Sequence, residues 1–164
     1  MRIIAIDPGY ERLGIAVIEK DTKKTGIRGT KETLLFSECF KTNPKLPHFE
    51  RLGLIGGEIS RIITEWGPGA MCLETLFFSV NQKTVMTVAE ARGVILFQAS
   101  KHGLQVYEYG PGQIKLAVTG YGKSDKSAMM DMIPRLITIN KEIAHDDEYD
   151  AIAVGLTCFA IERF

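Results

Sequence analysis

A chain of 164 residues with 45% apolar side chains and twenty acidic against twenty basic residues is the size of one domain, and apolar enough to bury a core. Zero net charge excludes a uniformly basic nucleic-acid binder, and no apolar run approaches the roughly 18 residues of a membrane span. Cys39, Cys72 and Cys158 are far apart, form no CxxC pair and read as buried thiols in a reducing compartment. With no signal-peptide pattern at the N-terminus, the expectation is a soluble cytoplasmic protein.

The first element, "RIIAIDPG", runs through Ile3, Ile4, Ala5 and Ile6 into Asp7, with Pro8 and Gly9 next. Turn chemistry alone accounts for an Asp before Pro-Gly, so Asp7 gains meaning only if other carboxylates join it. "LGIAVIEK" (13–20) and "TLLFSECFKT" (33–42) are two further β-rich runs, joined by a long polar connection whose role is open. The spacing of Phe49, Leu52, Ile55, Ile59, Ile62, Ile63 and Trp66 predicts a helix over 49–66, weakened at Gly56 and Gly57 by about 1 kcal/mol each. "AMCLET" (70–75) is a short buried strand, 81–103 a long helix and "LQVYEY" (104–109) another strand. The stretch "QIKLAVTGYGKSDK" is basic and punctuated by glycine, which suits phosphate contacts from Lys115 and Lys126; without acids nearby it would be a solvated loop. Helical patterns follow at 126–139 and 147–162. This order specifies an α/β fold, a five-stranded mixed sheet flanked by helices, as a single domain over 1–164.

Glu74, like Asp7, closes a buried strand. A right-handed connection through 49–66 sets the two strands parallel and adjacent, with both carboxylates at the end where open α/β sheets bind ligands. Asp147 and Asp150 are three apart and share a helical face, and Ala151, Val154 and Cys158 continue near it into the core. Asp146 and Glu148 read instead as surface acids that favour the positive end of the helix dipole. Residues 127–164 carry seven acids against three bases, which is either a solvated face or a set of ligands for cations. Four carboxylates on three elements, without cysteine, suit Mg²⁺ or Mn²⁺ and two-metal phosphodiester hydrolysis.

These residues resemble the RuvC family of Holliday-junction resolvases over nearly the whole chain. "IDPG" with Gly14, "LETLFF" followed by "ARGV", "YGPGQIKLAVTGYGKSDKSAMMDMI" and "DEYDAIAVGLT" occur in family order and spacing. The resemblance implies an RNase H-like fold, a homodimer, and Mg²⁺-dependent paired nicking of four-way DNA junctions, with two ions per site and Mn²⁺ able to substitute. It implies a branch-migration complex (RuvA and RuvB) as partner. Position by position, Asp7, Glu74, Asp147 and Asp150 match the metal-binding acids. Lys115 and Lys126 match lysines near the cut phosphate, and Phe77 matches an aromatic used at the junction centre. His145 competes with Asp147, because some relatives carry a histidine in the acidic set. The helix at 81–101 is the candidate dimer face, because Val85, Met86, Val88, Ile95 and Leu96 spread round it.

Two rival readings remain at this level. One is another RNase H-like nuclease with a different substrate. The other is an actin- or sugar-kinase-like phosphate-binding module, which needs a duplicated domain that 164 residues do not provide.

Overall fold

The computed structural model describes residues 1–21, 32–75 and 82–164. The long first hairpin connection and Phe77 lie outside them. Four consecutive apolar residues make Arg2–Asp7 a central strand, β1. It pairs antiparallel with β2 (Arg12–Glu19), which pairs antiparallel with β3 (Glu32–Lys41). Helix α1 (His48–Trp66) then carries the chain to β4 (Ala70–Glu74), parallel to β1 with Leu73 opposite Ile6. Helix α2 (Gln82–Lys101) leads to β5 (Gln105–Tyr109), parallel to β4. Helices α3 (Pro111–Thr119) and α4 (Lys126–Leu136), strand β6 (Ile137–Thr138) and helix α5 (Asp146–Ile161) complete the chain. The sheet order is β5-β4-β1-β2-β3-β6.

The α/β expectation holds, with six strands among the described residues instead of five. The extra strand, β6, is two residues on the open edge of β3, too short to carry a sequence pattern. It also ends at Leu136 the helix expected to run to 139. Residues 111–119, to which the sequence pattern assigned no element, are helical. Pro111 starts the first turn, the Gln113 side chain accepts the Gly110 N–H at 2.9 Å, and Gly120 ends the helix at a φ of 79°. The glycines that suggested a loop are its boundaries.

Two apolar cores lie on the two faces of the sheet. Ile4, Ile6, Leu13, Ile15, Val17, Met71 and Leu73 meet α1 and α2, whereas Ile3, Ala5, Ala16, Ile18 and Cys72 meet α3, α4 and α5. Gly56 is a contact point instead of a weak one: a Cβ there would stand 2.9 Å from Val94 Cγ1 of α2. Phe49 stays 73% exposed and is not part of the α1 core face. On α2, Ile95 is fully buried and Leu96 is partly buried against the same core, whereas Met86 and Phe97 are exposed.

Helix α5 is seated by two glycines. A Cβ on Gly155 would come within 2.6 Å of Ile18 Cδ1 and 3.1 Å of Ala5 Cβ. One on Gly14, the β2 partner of Asp7, would come within 2.2 Å of the Asp147 carbonyl oxygen. The first turn of α5 can therefore lie against the strand end that carries Asp7. Among the described residues no helix is long and apolar enough to cross a membrane.

Candidate active site

The two-residue period of a strand decides which acids meet. Asp7 shares the parity of Ile3 and Ala5, and Glu74 that of Ala70 and Cys72, all on the α5 side of the sheet. Both carboxylates thus leave the same face at the same end of neighbouring parallel strands. From above, α5 brings Asp147 and Asp150 toward them.

The charges confirm the proximity. Burial pushes the Asp7 carboxyl up to about 7, helped by Glu74, Asp150 and Asp147 and opposed by Lys126. Burial also raises Glu74, with Asp150 adding and Lys115 opposing. Asp150 is raised by burial against the pull of Lys126. Three carboxylates raised chiefly by burial, and further by neighbouring acids, mark a place with more negative charge than its surroundings neutralise.

Three cations line this place. Lys126 pairs with Asp146 at 2.7 Å and Asp150 at 3.1 Å. Its position follows from the N-cap of α4, where Asp125 accepts the Ala128 N–H at 2.8 Å and sets Lys126 in the first turn. Arg12 pairs with Asp146 at 3.0 Å and contacts Asp147. Lys115 of α3 joins Glu74, Lys126 and Asp150 around a cavity of about 270 Å³ with Ile114 and Met129 in its wall. A second hollow of about 410 Å³ shares Pro111 and Lys115 and adds Lys123.

Every predicted site residue that is described falls here: Asp7, Glu74, Asp147, Asp150, Lys115 and Lys126. Phe77 lies outside the described residues. His145 Nε2 lies 3.0 Å from Lys41 Nζ. Arg12 was missed because nothing in a turn sequence tells which charge folds back over the strand end. Cys39, expected to be an inert buried thiol, is half-buried and donates to Asp147 at 3.5 Å.

Glu148 needs correction. It is 2% exposed, accepts from Ser37 Oγ at 2.6 Å and Lys141 Nζ at 2.8 Å, and also takes the backbone N–H of Ala144 and His145. Although burial opposes it, the Lys141 and Ser37 bonds hold its carboxyl below the usual range. It anchors α5 to β3 as well as capping the helix. Asp146, by contrast, is exposed as expected, and Lys126 draws it down to about 2.

The oxygen-only donor set and its surplus negative charge suit a hard divalent cation. As the side chains stand, the Lys126 and Arg12 head groups answer the acids, and among the described residues no three His, Cys, Asp or Glu side chains form a metal-holding group.

Comparison with known proteins gives one answer. The family described as Crossover junction endodeoxyribonuclease RuvC matches residues 3–158. A protein of that description from Thermosipho melanesiensis is 41% identical over 162 residues, covering 99% of this chain and 98% of the relative. One from Halothermothrix orenii is 38% identical, covering 95% of this chain and 90% of the relative. The solved Thermus thermophilus RuvC structure superposes with a TM-score of 0.86 at 31% identity, covering 98% of this chain and 94% of that one. The same protein in complex with Holliday junction substrate gives 0.85 at 31% identity, over 96% of this chain and 92% of that one.

Proposed function

This chain belongs to the RuvC family of crossover junction endodeoxyribonucleases, and from that premise we propose that it resolves four-way DNA junctions through the site formed by Asp7, Glu74, Asp147 and Asp150. The observation that carries the assignment is the convergence of Asp7 and Glu74, at the ends of neighbouring parallel strands, with Asp150 of α5 beside Lys115 and Lys126. An RNase H-like fold and the family's whole length support reading residues 1–164 as one nuclease domain.

Asp7, Glu74, Asp147 and Asp150 would hold two divalent cations, Mg²⁺ or Mn²⁺ in its place, which supply an activated attacking water and charge relief at the leaving oxygen. With such ions held, Asp7 and its neighbours would ionise, because opposite charge would outweigh their burial and repulsion. Lys126 is released from Asp150 toward the DNA, and with Lys115 it steadies negative charge on the cleaved phosphate. Lys123, beyond Lys115, extends the basic path along the backbone. Phe77 stacks on an unpaired base at the junction centre, a role drawn from the family resemblance.

One chain carries one acidic cluster, and a four-way junction is two-fold symmetric, so paired nicks need a homodimer. The exposed Met86 and Phe97 of α2 support that helix as part of the dimer face. Family membership supports cytoplasmic action beside a branch-migration complex.

A synthetic mobile four-way junction tests the proposal directly. With Mg²⁺, symmetric nicks in two opposing strands are expected, and none with EDTA. Equal cutting of an RNA–DNA hybrid would point to the other RNase H-like nucleases. Nicks in a single strand, with a monomer in ultracentrifugation at micromolar concentration, would remove the homodimer.

A further inference from the structure

Arg51 of α1 is an arginine in an unusual place. It is only 6% exposed, yet its hydrogen bonds go to a hydroxyl and a backbone carbonyl instead of a carboxylate. Burying a charge without an opposite charge is unfavourable unless other groups replace the lost water. Three do so here. Nε donates to Thr42 Oγ1 at 2.9 Å, Nη2 donates to the Tyr10 carbonyl at 3.5 Å, and the guanidinium lies 3.8 Å from the centre of the Tyr10 ring.

Two of these contacts reach Tyr10 directly and the third reaches it through Thr42. Thr42 Oγ1, itself buried, donates to the same Tyr10 carbonyl at 2.9 Å, and the Thr42 N–H donates to the Glu11 carbonyl at 3.2 Å. The Tyr10 ring is steadied from outside by His48, whose Nδ1 is 2.7 Å from the Tyr10 hydroxyl and whose Nε2 is 2.8 Å from Glu90 of α2. Residues 8–11 form the connection between β1 and β2. Asp7 stands immediately before that connection and Arg12 immediately after it, and both reach into the acidic site. The turn has little slack: a Cβ on Gly9 would overlap the Arg12 carbonyl at 1.7 Å.

We propose that Arg51 and Thr42 are positioning residues of the nuclease: by clamping the Tyr10 carbonyl they fix the turn that places Asp7 and Arg12 against the acids of α5. The inference rests on the nuclease reading above. Neither residue touches DNA or the reacting atoms in this assignment. Their effect is transmitted through four residues of backbone, and displacements of about 1 Å at a reacting centre can cost about a hundredfold in rate.

Two variants test the clamp. Arg51→Met keeps length and apolar bulk but removes the donors and the charge. Thr42→Val keeps shape and removes only the hydroxyl. Four quantities are measured on each: thermal unfolding, junction affinity in Ca²⁺, single-turnover nicking at saturating enzyme and Mg²⁺, and Mn²⁺ affinity by electron paramagnetic resonance. Junction affinity within about twofold of the parent is expected, with nicking at saturation slowed about tenfold in Arg51→Met and at least threefold in Thr42→Val. Mn²⁺ affinity falls about fivefold in both. A purely structural role would lower the unfolding temperature while the folded fraction kept parental nicking and Mn²⁺ affinity, and that outcome overturns the clamp. If Arg51→Met does not fold, Thr42→Val decides alone. If the parent protein cuts no four-way junction, the nuclease reading fails on its own, and the Mn²⁺ titration still decides the clamp.

Discussion

Two carboxylate clusters sit on opposite faces of the same sheet, and one acid in each is pushed up to about 7. On the α5 face it is Asp7, raised by burial and then by Glu74, Asp150 and Asp147. On the α1 face it is Glu38 of β3, raised by burial and then by a hydrogen bond with Glu58 and its charge. The perturbation is alike and the surroundings differ. Glu58 is held below its usual range, chiefly by Arg61, whose Nε donates to it at 3.0 Å. Glu38 thus keeps its proton to a higher pH than an ordinary glutamate, beside an ion pair. On the Asp7 side Lys126 and Arg12 pair with Asp146, Asp147 and Asp150, yet Glu74 and Asp150 are still raised along with Asp7. An elevated carboxyl therefore reports burial, and what separates a site from a structural pair is whether the neighbouring acids are relieved or share the strain.

The sharpest way to break this comparison is to neutralise one acid on each face. Asp7→Asn should slow junction nicking by at least about a hundredfold, about 2.7 kcal/mol at 1.36 kcal/mol per decade, while junction binding stays largely intact. Glu38→Gln should leave nicking within about twofold. Rate and affinity are read on the same junction, in Mg²⁺ and Ca²⁺ respectively. Nicking by Asp7→Asn within tenfold of the parent, or an equal loss in Glu38→Gln, would erase the distinction between the faces.

The cations sharpen it at a smaller scale. Lys115→Ala and Lys126→Ala should each slow single-turnover nicking about tenfold at saturating enzyme, because their interaction strengthens as charge develops on the phosphate. Arg61→Ala, on the far face, should not. If the lysines merely hold DNA, nicking at saturation stays parental, affinity drops, and the salt dependence becomes shallower by about one unit per lysine.

Much of the site was legible because strand periodicity constrains it. A carboxylate two residues beyond a buried Ala5 or Cys72 has one face to go to, and the strand ends fix its height. Helix α5 was harder. Asp146, Asp147, Glu148 and Asp150 are nearly contiguous, so spacing does not say how far round the helix each one lies. Glu148 turned inward because Ser37 and Lys141, more than a hundred residues upstream and seven upstream respectively, offered it partners. Position 12 was opaque for the same reason: Arg12 meets its acids across 134 and 135 residues of chain. Helix α3 was hidden by its own caps, since the glycines that bound it are also loop formers.

The smallest expected effect concerns stability and pH, where the two faces can be separated without any DNA. In EDTA both Asp7 and Glu38 have folded-state pKa values near 7, above their ordinary 3.8 and 4.5. An acid raised on folding contributes stability that is full below its unfolded pKa and is lost as pH rises through its folded pKa. Acids lowered on folding, Glu58, Glu148 and Asp146, act oppositely, but their gain is complete by about pH 5 to 6. The melting temperature should therefore decline between about pH 5 and pH 7.5. Because Glu38 is only half-buried, its share is discounted to about 1 kcal/mol, or about 2–4 °C for a chain of this size. Glu38→Gln should remove its share of the decline and raise the melting temperature at pH 8 by about that amount. Mg²⁺ should remove the Asp7 share in both the parent and Glu38→Gln, since the ion binds the folded site, and should do little for Asp7→Asn. Melting curves at pH 5, 6, 7 and 8, with EDTA and with Mg²⁺, contain the whole test. A slope that Mg²⁺ abolishes completely in the parent would assign all of it to the Asp7 face and leave Glu38 ionised without cost. A slope that Mg²⁺ leaves untouched would place none of it there, and the two faces would then differ in their geometry alone.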